Sequence, residues 1–261
     1  MSERFVYLIL GSRGGGRSSV VSDLVDFGLD SSTESQVFIS EDDAVHWESP
    51  LPIRHTLCEQ KRYLWKGVDE GIIAEATGET VFVVADGMSD PADFVEAFFN
   101  WLQESSYELG RIISIVDCHR VQKERKLLQW YDCCIHFSDV VLLSNRSEVS
   151  NKWIDEFQDR YLKEYFPCLF VFVKKGRLAN PSLVLEPEAR RISKLFDEAD
   201  EYVFLEDEEE EEEEVDEEDE PAAGDPSKDP FLAKLGNGRR SRTLPNIRNL
   251  IVSEDDALAG D

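Results

Sequence analysis

Short apolar runs alternate, over the first two-thirds of the chain, with longer segments in which apolar residues recur every three or four positions. Central strands of a parallel sheet are apolar throughout because both of their faces are covered, whereas the covering helices are apolar on one side. The predicted strands are Phe5–Leu10, Val37–Ser40, Val81–Ala85, Ile112–Val116, Val140–Leu143 and Leu169–Val173. Alternating strands and helices predict an α/β fold with a mostly parallel sheet and helices on both faces.

Residues typical of helix ends support the predicted helices. Asp90 and Pro91 have the character of an N-cap and a first-turn proline, and Gly28 stands where a helix commonly ends. The spacing of apolar residues also predicts a helix over about His55–Ala76 and another over Asn151–Tyr165.

A glycine-rich segment, GSRGGGRS at Gly11–Ser18, joins the first predicted strand to the first predicted helix. It matches the phosphate-binding pattern G-x-x-x-x-G-K-[S/T] except that Arg17 replaces the lysine. Glycines allow successive amides and the helix N-terminus to converge on phosphate oxygens, and Ser18 is placed to ligate magnesium. The candidate phosphate-binding residues are Gly11, Gly14, Gly15, Gly16, Arg17, Ser18 and Ser19. The alternative is a glycine-rich turn that binds no ligand.

Three later segments, Val81–Phe94, Arg111–Val121 and His136–Val149, follow this loop in an order that resembles the CobW, UreG and HypB group of metallochaperone GTPases. The resemblance covers about residues 4–175 and is greatest to the CobW branch. It implies a three-layer P-loop NTPase fold that binds GTP or another nucleotide with magnesium. The separate C-terminal domain of that family has no counterpart here.

Several residues depart from the family pattern. Gly87 matches it, but Val84 stands at the acidic position, and a valine can neither orient water nor hold the magnesium shell. Asp86 could replace that acid only with a rebuilt strand end. The guanine-reading motif has become Asn145-Arg146-Ser147-Glu148, in which Glu148 is one carbon longer than the family's aspartate. We therefore expect at most a weak GTPase, although this segment also suits a polar cap before the next helix.

Two metal predictions come from the same resemblance. The Cys-x-Cys-Cys metal motif of the family corresponds to His55-Thr56-Leu57-Cys58, which leaves His55 and Cys58 as candidate zinc-type ligands. Packing and capping roles are the alternative for both residues. Glu41 resembles the acidic residue near the switch, where it would orient water bound to magnesium.

Charge divides the chain into two parts. The net charge is −27, and residues 206–220 alone carry 14 acidic side chains, so that −13 remains elsewhere. This balance excludes nucleic acid as a main partner. We predict a nucleotide-binding-like domain over residues 1–205 and a mostly disordered, solvated acidic tail over 206–261. The alternative is that the acidic run folds back on the arginines of the tail or captures a basic protein partner.

The sequence also supports expectations about the cellular compartment and the state of the cysteines. The sequence has neither a long apolar run nor a signal-peptide pattern, and its five cysteines are odd in number, so we expect a cytoplasmic protein with reduced thiols and no membrane contact. The sequence leaves open whether the protein forms a homodimer.

Three functions are compatible with these features. We favour a GTP-type nucleotide-binding protein with slow or absent hydrolysis and a switch or regulatory role. The alternatives are a pseudo-GTPase interaction scaffold that binds no nucleotide, and a metal carrier.

Overall fold

A computed structural model describes residues 4–44, 51–69, 72, 75–197, 223–248, 250 and 251. The strands are β1 (Phe5–Gly11), β2 (Ser35–Ser40), β3 (Cys58–Tyr63), β4 (Thr80–Val84), β5 (Glu108–Asp117), β6 (Val140–Ser144) and β7 (Leu169–Phe172). The helices are α1 (Arg17–Gly28), α2 (Glu41–Ala44), α3 (Pro91–Glu104), α4 (Cys118–Lys123), α5 (Lys126–His136), α6 (Asn151–Leu162) and α7 (Pro181–Val184). The six predicted strands are all present.

The strands form one seven-stranded sheet in the order β3-β2-β4-β1-β5-β6-β7. Every neighbouring pair is parallel, so the predicted parallel sheet is confirmed. Strands β2, β4 and β6 are buried at every residue, whereas β3 and β7 at the edges are largely half-buried or exposed. The apolar runs therefore mark strands that are covered on both faces.

Helices cover both faces of the sheet. Helix α1 packs with α7 on one face, where Val20, Val21, Leu24 and Val25 join the inward side chains of the strands in one core cluster. Helix α3 packs against α5, which also contacts β1 and β5. Asp132 of α5 accepts hydrogen bonds from Arg160 and Tyr161 of α6. The fold is thus the predicted three-layer α/β arrangement.

The predicted helix over His55–Ala76 is wrong. Residues 58–63 form strand β3, which pairs in parallel with β2 from Ser35↔Cys58 to Ser40↔Tyr63. This edge strand, CEQKRY, is mostly polar because only part of it is covered. Its sequence therefore lacks the apolar run that identifies the central strands.

The chain divides into two compact units, one containing Met1–Ile192 with Thr243–Asp261 and the other Ser193–Arg242. Within the second unit, Ser193 Oγ donates to Asp229 Oδ2 at 2.6 Å, and a bridge joins Lys234 to Arg240. The acidic run at residues 206–220 lies outside the described residues. The predicted boundary at residue 205 stays a prediction, because residues 198–222 also lie outside them.

Candidate functional site

The candidate site lies at the carboxyl ends of the central strands. From β1 the chain moves toward β2 on one side of the sheet, and from the adjacent β5 it moves toward β6 on the other. Loops that leave neighbouring strands in opposite directions open a crevice between them, the usual ligand position in such sheets. The glycine-rich loop after β1 and Asp117 at the end of β5 meet in this crevice, since a Cβ on Gly15 would lie 3.7 Å from the Asp117 Cβ.

The glycine-rich loop is curled and not extended. Gly14 and Gly16 have φ angles of 72° and 90°, a left-handed region that glycine adopts without strain and that most residues with a Cβ avoid. Gly15 N–H donates to Ser12 O at 3.1 Å, which closes a turn immediately before α1. The sequence pattern and the loop conformation therefore agree.

Several amides of the curled loop and of the start of α1 take no part in the hydrogen bonding of the described structure. The N–H groups of Gly14, Gly16, Ser18 and Ser19 have no hydrogen-bond acceptor among the residues that the structure describes. Such amides, together with the positive end of a helix, form an anion-binding concavity. The fold is that of a P-loop NTPase.

Neighbouring elements hold the P-loop in place. The Ser12 hydroxyl lies 2.8 Å from the Tyr131 hydroxyl of α5, and Ser144 Oγ at the end of β6 lies 2.8 Å from Gly15 O and 3.0 Å from Val116 O. Arg120 of α4 donates to Arg13 O, and its guanidinium also lies against Gly14. The loop is thus fixed by three separate elements, one of which adds a positive charge.

The side chain that replaces the P-loop lysine is turned into the protein. Arg17 Nη2 donates to Asp43 Oδ2 at 2.8 Å, and Arg17 Nη1 donates to Ala85 O at 2.6 Å. Asp43 lies on the four-residue helix α2 and also accepts from Arg13 Nε and Gly87 N, both at 2.8 Å. The Arg17 and Asp43 side chains are 1% and 0% exposed, so they form a buried ion pair.

The pKa values of the two buried carboxyl groups, Asp43 and Asp86, shift in opposite directions in this environment. Burial alone would raise the pKa of Asp43, but the Arg17 guanidinium, the Gly87 N–H and Arg13 outweigh it and hold this pKa below its ordinary value. Burial and the nearby Asp43 charge raise the pKa of Asp86, whose Oδ2 is buried and has no hydrogen-bond partner among the described residues. Asp43 is therefore the charged partner of the two guanidiniums.

The residues predicted to read the base follow the end of β6, where Ser144 contacts the P-loop. Asn145 has a φ of 47° and donates from Nδ2 to Asp117 Oδ2 at 2.9 Å. The largely exposed Glu148 lies 3.2 Å from His119 Nδ1, and the Arg146 guanidinium lies 4.3 Å from the centre of the Phe172 ring. The structure thus brings Asn145 close to the loop and pairs Glu148 with a histidine.

The donor set fits magnesium only in part. Ser18 lies at the start of α1, where its hydroxyl is available, but Val84 is buried and offers no oxygen ligand from its side chain. Asp43 is committed to the arginines, and no described contact joins Ser18 to Asp86. Magnesium here would depend on Ser18, water and the phosphates of a nucleotide. Glu41, unlike Asp43, is exposed.

The predicted zinc-type residues are engaged in local packing. His55 Nε2 lies 2.9 Å from Asp30 O, and the His55 N–H donates to Asp26 Oδ1 at 3.0 Å. Cys58 is half-buried at the start of β3, and burial raises the pKa of its thiol. Across the described part of the chain, no group of three or more His, Cys, Asp and Glu side chains could hold a metal ion.

Comparison with known proteins gives matches in structure alone. No family model matches the sequence, and no curated protein does. A Zn(II)-bound triple mutant of YjiA GTPase has a TM-score of 0.48 and 15% identity, covering 73% of this chain and 67% of the other. Zn(II)-bound YjiA GTPase from E. coli has a TM-score of 0.47, with 15% identity and the same coverage of 73% and 67%.

These matches bear on the fold and not on activity. YjiA is a CobW-family GTPase, so the resemblance stated from the sequence is confirmed as a likeness of fold. At these TM-scores the likeness does not indicate what this chain binds.

Within the described ranges, none of the helices has the length and apolar character needed to cross a lipid bilayer.

Sequence reasoning missed the residues that dominate the site. Asp43 lies in the run Glu41-Asp42-Asp43, and Arg120 lies four residues beyond Val116, where a predicted strand ends. The available signal was their position just after strands whose carboxyl ends meet the P-loop. That signal does not distinguish Asp43 from the acids beside it.

Proposed function

We propose that this protein binds a GTP-type nucleotide, hydrolyses it slowly or not at all, and acts as a switch or regulatory protein. The observation that carries this proposal is the set of P-loop N–H groups, at Gly14, Gly16, Ser18 and Ser19, that have no acceptor in the described part of the chain. These groups would hold the phosphates through the backbone, so binding would not depend on the replaced lysine. Arg120 beside Gly14 would add a favourable charge.

Slow hydrolysis follows from the side chains that surround the loop. Val84 occupies the strand position at which the family has an acid, and it has neither charge nor hydrogen-bonding capacity. Arg17 donates to Asp43 and Ala85, so its charge is not directed to a transferring phosphate. The base would be held weakly, because Asn145 and Glu148 already have partners in Asp117 and His119.

A second function, a pseudo-GTPase scaffold that binds no nucleotide, is favoured by the buried Arg17–Asp43 pair. In that case the chain itself satisfies the cation that a nucleotide would otherwise meet. A protein partner captured by the acidic tail belongs to this alternative.

Titration with fluorescently labelled GTP and GDP, with and without magnesium, tests the proposal. Two variants at one position separate charge from shape: Gly14→Asp and Gly14→Asn. Gly14 has a φ of 72°, which both Asp and Asn tolerate, and in both variants the Cβ meets the Arg120 guanidinium. Only Gly14→Asp brings a negative charge to the mouth of the loop.

We expect binding by the wild type, a weaker signal in Gly14→Asn, and at least about a further tenfold loss in Gly14→Asp, equivalent to 1.4 kcal/mol. Equal binding by the two variants would place the nucleotide elsewhere. A wild type that binds neither nucleotide favours the scaffold.

A further inference from the structure

Asp43 is held by donors from three separate places in the sequence. Arg13 in the P-loop, Arg17 at the start of α1 and the Gly87 amide after β4 each donate to its carboxylate at 2.8 Å. Arg13 N–H also donates to Gly87 O at 3.0 Å, which ties two of these places together. The carboxylate is fully buried at their centre. These donors form an anion-binding site, and the anion that occupies it is a carboxylate of the chain itself.

The donors around Asp43 correspond to those that a P-loop protein directs at the end of a phosphate chain. The P-loop lysine reaches the β- and γ-phosphates, and Arg17 stands at that position in the sequence. A carboxylate that accepts two guanidinium N–H bonds and one amide N–H bond satisfies donors of the same kind as a terminal phosphate would. Asp43 therefore stands in for the outermost phosphate.

Charge reinforces this interpretation. Arg13 and Arg17 bring two positive charges, which Asp43 and the nearby Asp86 can balance. A further phosphate in the same place would add negative charge to a buried cluster that already contains two carboxyl groups. The amides at Gly14, Gly16, Ser18 and Ser19 lie outside this cluster and remain available for inner phosphates.

We infer that the site selects a nucleoside diphosphate, with the Asp43 carboxylate in the position of the terminal phosphate, and that a triphosphate enters only when residues 41–44 move away. This inference rests on the proposed function and specifies its ligand. The preference should hold for guanine and adenine nucleotides alike, because it comes from the phosphate end of the site.

Competition against labelled GDP tests the inference, with unlabelled GDP, GTP, ADP and ATP as competitors. In the wild type we expect each diphosphate to compete at least about tenfold better than its triphosphate. Asp43→Ala removes the internal anion and should reduce the ratio to about one or reverse it. Asp42→Ala is the matched control, because this exposed neighbour on α2 should leave the ratio as in the wild type.

The outcomes separate the two proposals. A wild type that binds GTP and GDP equally well overturns the role of Asp43 and leaves nucleotide binding intact. Binding of neither nucleotide by the wild type and by Asp43→Ala overturns both proposals. Should Asp43→Ala not fold, the ratio measured in the wild type decides by itself, since equal affinities refute the inference.

Discussion

Replacing Asp43 by asparagine should destabilise the protein strongly. Asp43 and Arg17 are both buried and their charged atoms lie 2.8 Å apart, a distance at which the attraction is roughly 6 kcal/mol for an effective dielectric constant of about 20. Relief of the buried carboxylate's own desolvation offsets part of this loss. The amide also presents N–H groups to guanidinium donors. We expect a net loss of about 3 kcal/mol, a large share of the ~5–15 kcal/mol that stabilises a typical domain.

Urea unfolding followed by tryptophan fluorescence measures this loss, since the chain contains five tryptophans. The matched control is Asp42→Asn, an exposed change on the same helix, which should stay within about 0.5 kcal/mol of the wild type. Combining Asp43→Asn with Arg17→Met should cost less than the two single changes together, because the second change removes the unpaired cation. A loss below about 1 kcal/mol for Asp43→Asn would refute the buried ion pair as a stabilising contact.

The same ion pair has a predictable pH dependence. Because the pKa of Asp43 is lower in the folded state, its contribution is complete above the unfolded value of about 3.9 and disappears as the pH falls through the folded value. The difference between wild type and Asp43→Asn should therefore be constant from pH 5 to 7 and shrink in acid. A difference that does not shrink at all as the pH falls below the unfolded value of about 3.9 would assign the effect to packing.

Three further predictions concern Asp86, Gly87 and the cysteines. Asp86→Asn should raise the urea midpoint at pH 7, because burial and a nearby negative charge raise the pKa of Asp86, and this gain should vanish below about pH 4. Gly87→Ala should cost about 1–3 kcal/mol, since its Cβ would lie 2.6 Å from Arg13 N, whereas Gly236→Ala meets nothing within 4 Å and should be neutral. A thiol reagent should label Cys58 first in the folded protein, and slowly because burial raises its pKa, while the four other cysteines react only after unfolding.

The central sheet could be predicted from the sequence because its strands are covered on both faces. A run such as Val81–Val84 is apolar at every position, which a half-exposed element cannot be. Strand β3 has no such run, and its polar residues at Glu59, Gln60 and Lys61 fit an exposed edge as well as a helix. Pairing with β2 decides its structure, and pairing is not visible in local spacing.

Only the part of the candidate site that is contiguous in sequence could be predicted. The P-loop can be identified because its glycines and the following helix are contiguous in sequence. The partner of Arg17 lies 26 residues away, among three adjacent acids that composition alone cannot distinguish. Only the fold shows that the third of these, Asp43, enters the cluster while Glu41 faces outward.

The short helix that carries Asp43 begins at Glu41, directly after the last residue of β2. No flexible linker separates the two, so withdrawal of the carboxylate would pull on the end of the strand and on the Ser40↔Tyr63 pairing with β3. The Tyr63 hydroxyl in turn donates to Val84 O at the end of β4. Exchange of the acidic side chain for a ligand would thus be felt at the outer border of the sheet, where amide hydrogen exchange in β3 could report it.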